Sequence, residues 1–327
     1  MRERRLGPDG PLVPAVGFGA LSLAGPYGAI DVEQAVATTT HALAAGSYHV
    51  DTAEAYGAGR SEHIVGRAIA GRRDGVFLAT KFAGEPRPGE EHGGRGRPDR
   101  VRTSIDGSLG RLGTDHVDLY YLHRVDPLTP IEETVGAMAG LVQEGKVRYL
   151  GLSEPAADTI RRAHATHPIT AVQSEWSMFS RDQERNGVLD TCRELGIGFV
   201  AYSPISRGLL GEVRSRAELA DGDNRLGFPR FQQETLAENA RIADEIGTIA
   251  RGIGLSTAQL ALAWVLAQDE HAVVIPGTRR PAHIDANVAA GGVTLNATTL
   301  SAIAAVLASS TVRGDRYSPA KMARVEG

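Results

Sequence analysis

Asp51, Lys81 and His123 each close a short apolar run, and Tyr56 follows the first of them by five residues. A phenol with an ordinary pKa of about 10 is a poor proton donor or acceptor near neutrality. It needs a cation close by, and the Lys81 ammonium would favour the phenolate and lower the tyrosine pKa. Asp51 would keep Lys81 charged and oriented, while His123 would hydrogen-bond a carbonyl oxygen or share in the proton transfer. Such a set suits adding a proton to a carbonyl oxygen while hydride arrives at carbon, the reaction of a nicotinamide-dependent reductase, and it requires no metal.

Each group alone also fits a plainer role. Asp51 can cap the turn after it, Lys81 can be a solvated strand end, Tyr56 beside Gly57 can be a packing aromatic, and His123 can be a hydrogen-bonded core histidine. A chemical role demands that all four open on one face of one scaffold.

The intervening sequence predicts that scaffold. Short β-compatible pieces around Pro8-Asp9-Gly10 predict a hairpin, followed by a strand over 15–19. Asp31 caps a helix reaching about residue 45, which Gly46 ends. The alternation continues with strands over 48–51, 76–80, 117–122, 147–152, 171–173, 197–202 and 272–275. Helices are expected over 61–70, 98–112, 130–143, 156–165, 183–195, 236–251 and 257–268, and a last one after Pro281. Eight strands in one unbroken strand-helix series, with no linker or shift of composition, favour a single-domain (β/α)8 TIM barrel over residues 1–327 rather than an open sheet. The strand ends of a barrel meet at one mouth, and that is where the four groups fall. Two long connections share this mouth: 203–232, and 83–98, where eight of sixteen residues are Gly or Pro and regular structure is excluded.

Composition narrows the partners. Of the 327 residues 42% are hydrophobic and 23% charged, enough for a sizeable core, and a net charge of -4 gives no pull toward nucleic acid or acidic membrane lipid. Cys192 is the only cysteine, so an intramolecular disulfide is excluded and a reducing, cytoplasmic setting is expected. No run approaches the roughly 18 apolar residues of a membrane span, and the charged N-terminus leading into Gly and Pro is not expected to be a signal peptide. A small-molecule substrate is the expectation, and the polar balance permits a monomer.

At the level of motifs, Asp51-Thr52-Ala53-Glu54-Ala55-Tyr56-Gly57, Ala79-Thr80-Lys81 and Asp118-Leu119-Tyr120-Tyr121-Leu122-His123 together resemble the signatures of the aldo-keto reductase superfamily, over nearly the whole chain. The resemblance implies a catalytic tetrad of Asp51, Tyr56, Lys81 and His123, with Tyr56 as general acid in the NADPH-dependent reduction of an aldehyde or ketone. It further implies that Ser153 and Gln173 hold the nicotinamide carboxamide and that Trp176 stacks on its ring in place of a commoner Tyr. Residue 154 is Glu where Asn is usual. The segment Tyr202, Ser203, Pro204, Ser206, Gly208 and Leu209 is similar to one that wraps the pyrophosphate of NADPH/NADP+. Gly277, Thr278, Arg279 and Arg280 resemble the adenosine 2′-phosphate site, as a helix N-terminus with paired arginines should. His283 and Asn287 fall on later cofactor positions, although Ala286 replaces the acid that often precedes the Asn. Tyr27, Phe82, Arg124 and Trp176 are candidates for the substrate pocket. Arg124 either recognises a carboxylate or phosphate or pairs with Asp126, the pair being slightly favoured.

Rivals fare worse. Gly57-Ala58-Gly59-Arg60-Ser61-Glu62 follows a strand as a dinucleotide-binding loop would, but its third glycine is missing and Thr80-Lys81 replaces the acid that would meet the ribose. The ten histidines include no His-Glu-x-x-His spacing, and Cys192 shares a helical face with Val188, Leu189 and Leu195. From another class, a nicotinamide-binding regulatory subunit with little turnover remains open, since some relatives of this fold serve mainly a partner.

Overall fold

The computed structural model describes residues 2–84 and 93–326. A hairpin of β1 (Glu3–Arg5) and β2 (Leu12–Pro14) precedes eight parallel strands: β3 (Phe18–Gly19), β4 (His49–Asp51), β5 (Phe77–Phe82), β6 (Val117–Leu122), β7 (Val147–Ser153), β8 (Ala171–Glu175), β9 (Gly198–Tyr202) and β10 (Ala272–Val274). Each pairs with the next in chain order. The sheet closes on itself where Gly17 N–H donates to Val274 O at 2.8 Å, Val274 N–H to Ala15 O at 3.0 Å, and Gly19 N–H to Pro276 O at 3.2 Å. This is the (β/α)8 barrel the alternation implied, with the hairpin at its N-terminal end.

Around the barrel lie α1 (Val32–Ala44), α2 (Arg60–Ile69), α3 (Pro98–Leu112), α4 (Ile131–Gln143), α5 (Ala157–Thr166), α6 (Val188–Leu195), α7 (Gln233–Gly252), α8 (Thr257–Gln268), α9 (Pro281–Ala290), α10 (Ala297–Ser309) and α11 (Pro319–Met322). Asp31 caps α1 by accepting Gln34 N–H at 3.1 Å, and Gly46 follows it at φ +100°. Strand parity then sorts the side chains into two layers. Phe77, Ala79, Leu119, Tyr121, Ala171, Val200 and Val273 fill the barrel interior together with Leu6 and Val13 of the hairpin. Leu78, Phe82, Tyr120, Leu122 and Val172 join the core shared with the helices. Asp51, Lys81 and His123 stand at inward parity on neighbouring strands, so the sheet itself gathers them.

Three expectations change. The helix expected over 183–195 is a 3-10 turn at Asp182–Glu184 followed by α6, because Gly187 adopts φ +82° between them. The segment 203–232 holds four 3-10 turns, Ser206–Gly208, Arg216–Glu218, Asn224–Gly227 and Pro229–Phe231, rather than formless chain. Two helices, α10 and α11, follow α9. Of the loop 83–98, residues 85–92 lie outside the described residues. No single helix among the described residues is long and apolar enough to cross a membrane.

Candidate active site

Asp51 is 2% exposed at the end of β4, and both of its oxygens are engaged: Lys81 Nζ donates to Oδ1, and Gln173 Nε2 donates to Oδ2 at 2.8 Å. The remaining donors of the fully buried Lys81 reach Thr52 O at 2.9 Å and the Tyr56 hydroxyl at 3.3 Å. Tyr56 is presented by a tight turn in which Gly57, Ala58 and Gly59 adopt φ +61°, +53° and +90°. The loop is tied down beneath it, since Thr52 Oγ1 donates to Ser61 Oγ at 2.8 Å and Ser61 Oγ to Ala20 O at 3.0 Å. The His123 ring lies edge to face with Tyr56, centroids 5.7 Å apart.

Electrostatics correct one expectation. The Tyr56 phenol is pushed well above its ordinary pKa, by burial first and the Asp51 charge second, with Arg124 opposing. Burial also pushes the Lys81 ammonium down, against the pull of Asp51. His123 is driven well below 6.5 by burial and then by Arg124 and Lys81, and is a neutral imidazole at physiological pH. The set is therefore a protonated phenol hydrogen-bonded to a fully buried ammonium, with a neutral imidazole beside it, the phenol and the imidazole lining one opening.

That opening is a cavity of about 450 Å³ lined by Tyr27, Tyr56, His123, Arg124, Ser153, Gln173, Tyr202 and Ser203, together with Arg207, Phe228, Tyr317 and Lys321. A groove of about 880 Å³ adjoins it at Tyr27 and runs past Gly208, Gly277, Thr278, Arg279, Arg280, His283 and Asn287. At its far end the N-terminus of α9 brings backbone N–H groups beside Thr278, Arg280 and His283, a set that favours anions. Two details qualify the far end. The Arg279 guanidinium donates to the carbonyls of Tyr27 (2.9 Å), Gly28 (3.0 Å) and Ala29 (3.0 Å), so it anchors the Tyr27 loop. Glu212 pairs with Arg280 at 2.8 Å and with His283 at 3.4 Å, putting a carboxylate on the groups proposed for a phosphate.

Five candidates face elsewhere. Trp176 is 1% exposed, edge-on to Phe199, with its N–H given to Glu184 at 3.0 Å, so it offers no stacking face; Tyr202 lines the cavity instead. Phe82 has outward parity and stacks on Tyr120 in the helix layer, centroids 4.9 Å apart. Ser206 Oγ is satisfied by Ser177 Oγ at 2.9 Å, and the buried side chains of Pro204 and Leu209 line neither opening. Nor does Arg124 pair with Asp126, whose oxygens accept from Gly94 N, Gly96 N, Leu128 N and the Thr129 hydroxyl.

Sequence reasoning missed the C-terminal tail. Arg316, 2% exposed, grips the buried Glu154 carboxylate with two bonds of 2.7 Å, and Tyr202 OH donates to the same group at 2.7 Å. Tyr317 and Lys321 are thereby carried into the cavity wall. Glu154 in place of Asn is thus a tail anchor, whatever else approaches it. Its one available signal was backbone strain, which no sequence displays: Ala83, Glu154 and Ser203, each just past a barrel strand, have φ of +55°, +56° and +50°.

The sequence model of the aldo/keto reductase family matches residues 15–308. A probable aldo-keto reductase of Glycine max is 42% identical over 315 residues, covering 96% of this chain and 91% of that protein. Among solved structures, a glycerol dehydrogenase from Gluconobacter oxydans superposes with a TM-score of 0.84 at 29% identity, covering 97% of this chain and 98% of its own. An aldo/keto reductase from Klebsiella pneumoniae in complex with NADP and acetate gives 0.73 at 27% identity, covering 97% and 99%.

Proposed function

Since the chain belongs to the aldo/keto reductase family, we propose that it is an NADPH-dependent oxidoreductase that reduces aldehyde or ketone carbonyls to alcohols. The observation that carries this reading is the buried series Gln173, Asp51, Lys81, Tyr56, which ends in a phenol facing a cavity beside His123. A bound nicotinamide dinucleotide supplies the hydride. The chain's part is the proton. The carbonyl oxygen takes hydrogen bonds from the Tyr56 hydroxyl and the neutral His123 ring, and as charge grows on oxygen Tyr56 gives up its proton. Lys81, 3.3 Å away, then stabilises the phenolate, and Asp51 holds the ammonium in place.

For the cofactor, Ser153 and Tyr202 line the cavity and in this reading hold and face the nicotinamide, and Thr278, Arg280, His283 and Asn287 line the groove that would receive the adenosine end. NADP in the Klebsiella pneumoniae relative supports the choice of dinucleotide. In this reading Arg279 positions the Tyr27 loop and touches no phosphate.

Replacing Tyr56 by Phe removes the acid and leaves the cavity shape. The expected result is a loss of about 10²–10⁴ in kcat/KM for an aldehyde with the dissociation constant of NADPH within about twofold of the parent. Near-parental turnover by the variant overturns the mechanism. Tight NADPH binding by the parent without turnover of any of a panel of aldehydes would favour the regulatory-subunit reading.

A further inference from the structure

We infer that the active-site cavity selects carbonyl substrates bearing a carboxylate or phosphate group, with Arg124 as the residue that binds the anion. The inference rests on the carbonyl-reductase reading and adds its substrate class.

Arg124 follows His123 directly and its half-buried guanidinium lines the cavity. Its Nη1 donates to His123 O at 2.6 Å and weakly to Ser153 Oγ at 3.4 Å. No carboxylate of the described residues lies in ion-pair range of it, and Asp126, its neighbour in sequence, is consumed by the loop that it caps. The other arginines packed around the cavity are matched: Arg207 with Glu175, Arg316 with Glu154 and Arg225 with Asp223. Glu154 feels Arg124 across some distance, but its two oxygens are held by Arg316 and its charge is spent there. Among the described residues lining the cavity there is no Asp or Glu.

Burial works against the Arg124 charge, but Tyr202, Tyr317, Glu154 and Tyr56 outweigh it, so the guanidinium stays charged in the wall with no carboxylate of the described residues in ion-pair range. Its fork of donors matches a carboxylate or a phosphate, and a single-sign cavity concentrates such ligands. Because Arg124 and His123 line the same cavity, one substrate can present its carbonyl to the second and an anion to the first. The competing assignment is that Arg124 serves the cofactor, since Ser153 is adjacent, and a test has to separate the two.

Matched substrates do so: 4-carboxybenzaldehyde against 4-nitrobenzaldehyde, succinic semialdehyde against butanal, and glyceraldehyde 3-phosphate against glyceraldehyde. The charged member should win by about tenfold or more in kcat/KM, chiefly through KM, in at least one pair, and which pair wins tells carboxylate from phosphate. Arg124→Met should bring that ratio near one, and Arg124→Lys should keep part of it. Equal or better use of the neutral members by the parent overturns the inference. So does a variant that keeps the ratio but loses NADPH affinity by fluorescence titration, which would assign Arg124 to the cofactor. If no aldehyde is turned over, the reductase reading fails, and calorimetric titration with benzoate and benzamide decides the anion site by itself. Preference for benzoate, lost in Arg124→Met, supports the site, and absence of preference overturns it.

Discussion

At the hydroxyl of Tyr56 burial and then the Asp51 charge hold the proton on, and Arg124 opposes them without prevailing. The consequence is a pH profile. A phenol held well above its ordinary pKa stays protonated, and a His123 held well below 6.5 stays neutral, so neither changes state near neutrality. The kcat/KM for aldehyde reduction should therefore be flat between about pH 6.5 and 9. A rising or falling limb centred near the ordinary histidine value would show that His123 titrates and that its burial has been overcome. Asp51, Lys81 and His123 were legible in the sequence because strand parity and strand order are enough to bring them together. The outward parity of Phe82 was legible by the same rule, whereas the packing that closes over Trp176 was not. Arg124 was legible only as a choice, and the turn capped by Asp126 decided it.

Elements meet tightly along the seam where β3 closes against the chain after β10. A Cβ on Gly19 would lie 2.6 Å from Ile275 O, and one on Gly277 would lie 2.7 Å from Gly19 O. Gly19 has φ -83° and ψ 114°, open to any residue, so the objection to a side chain there is steric alone. Gly19→Ala should lower stability by about 1–3 kcal/mol, read from the urea midpoint, because a backbone carbonyl cannot step aside. Across the same mouth, the 203–232 segment reaches α9 through Glu212 and Arg280, side chains 70% and 68% exposed. Such a pair is worth at most about 1 kcal/mol. Glu212→Gln should accordingly tighten NADPH by no more than about fivefold while leaving NADH unchanged, as Arg280 is released toward a 2′-phosphate. Weaker NADPH binding would instead make the Glu212 clasp part of the closed groove. Arg279→Ala, by freeing the Tyr27 loop, should weaken both cofactors alike. The regular strand-helix units were readable from their periods, whereas the tail that supplies Arg316 and Tyr317 carries no period at all, and only the closed barrel shows that Glu154 awaits it.

Among the buried groups that the proposed chemistry does not use, His49 bears on the acid stability of the whole molecule. His49 is fully buried inside the barrel, edge-on to Phe77 with centroids 5.2 Å apart, and neither ring nitrogen has a partner among the described residues. Burial pushes its pKa down to about 4, with Asp51 opposing and Lys81 assisting. In the unfolded chain the same ring titrates near 6.5, so below that pH the unfolded state takes up the proton first. Stability is thus unaffected by His49 above about pH 6.5 and falls as the pH drops toward 4; by pH 5 the loss from this residue is about 2 kcal/mol. His123 acts in the same direction. Carboxylates also contribute below about pH 5, so the informative window is pH 7 to 5. Urea midpoints at the two ends of that window should differ more in the parent than in His49→Leu, which fills the site and cannot titrate. The difference in slope survives any change the variant makes to stability itself, and equal slopes would mean that His49 keeps a partner or a proton that its burial denies it.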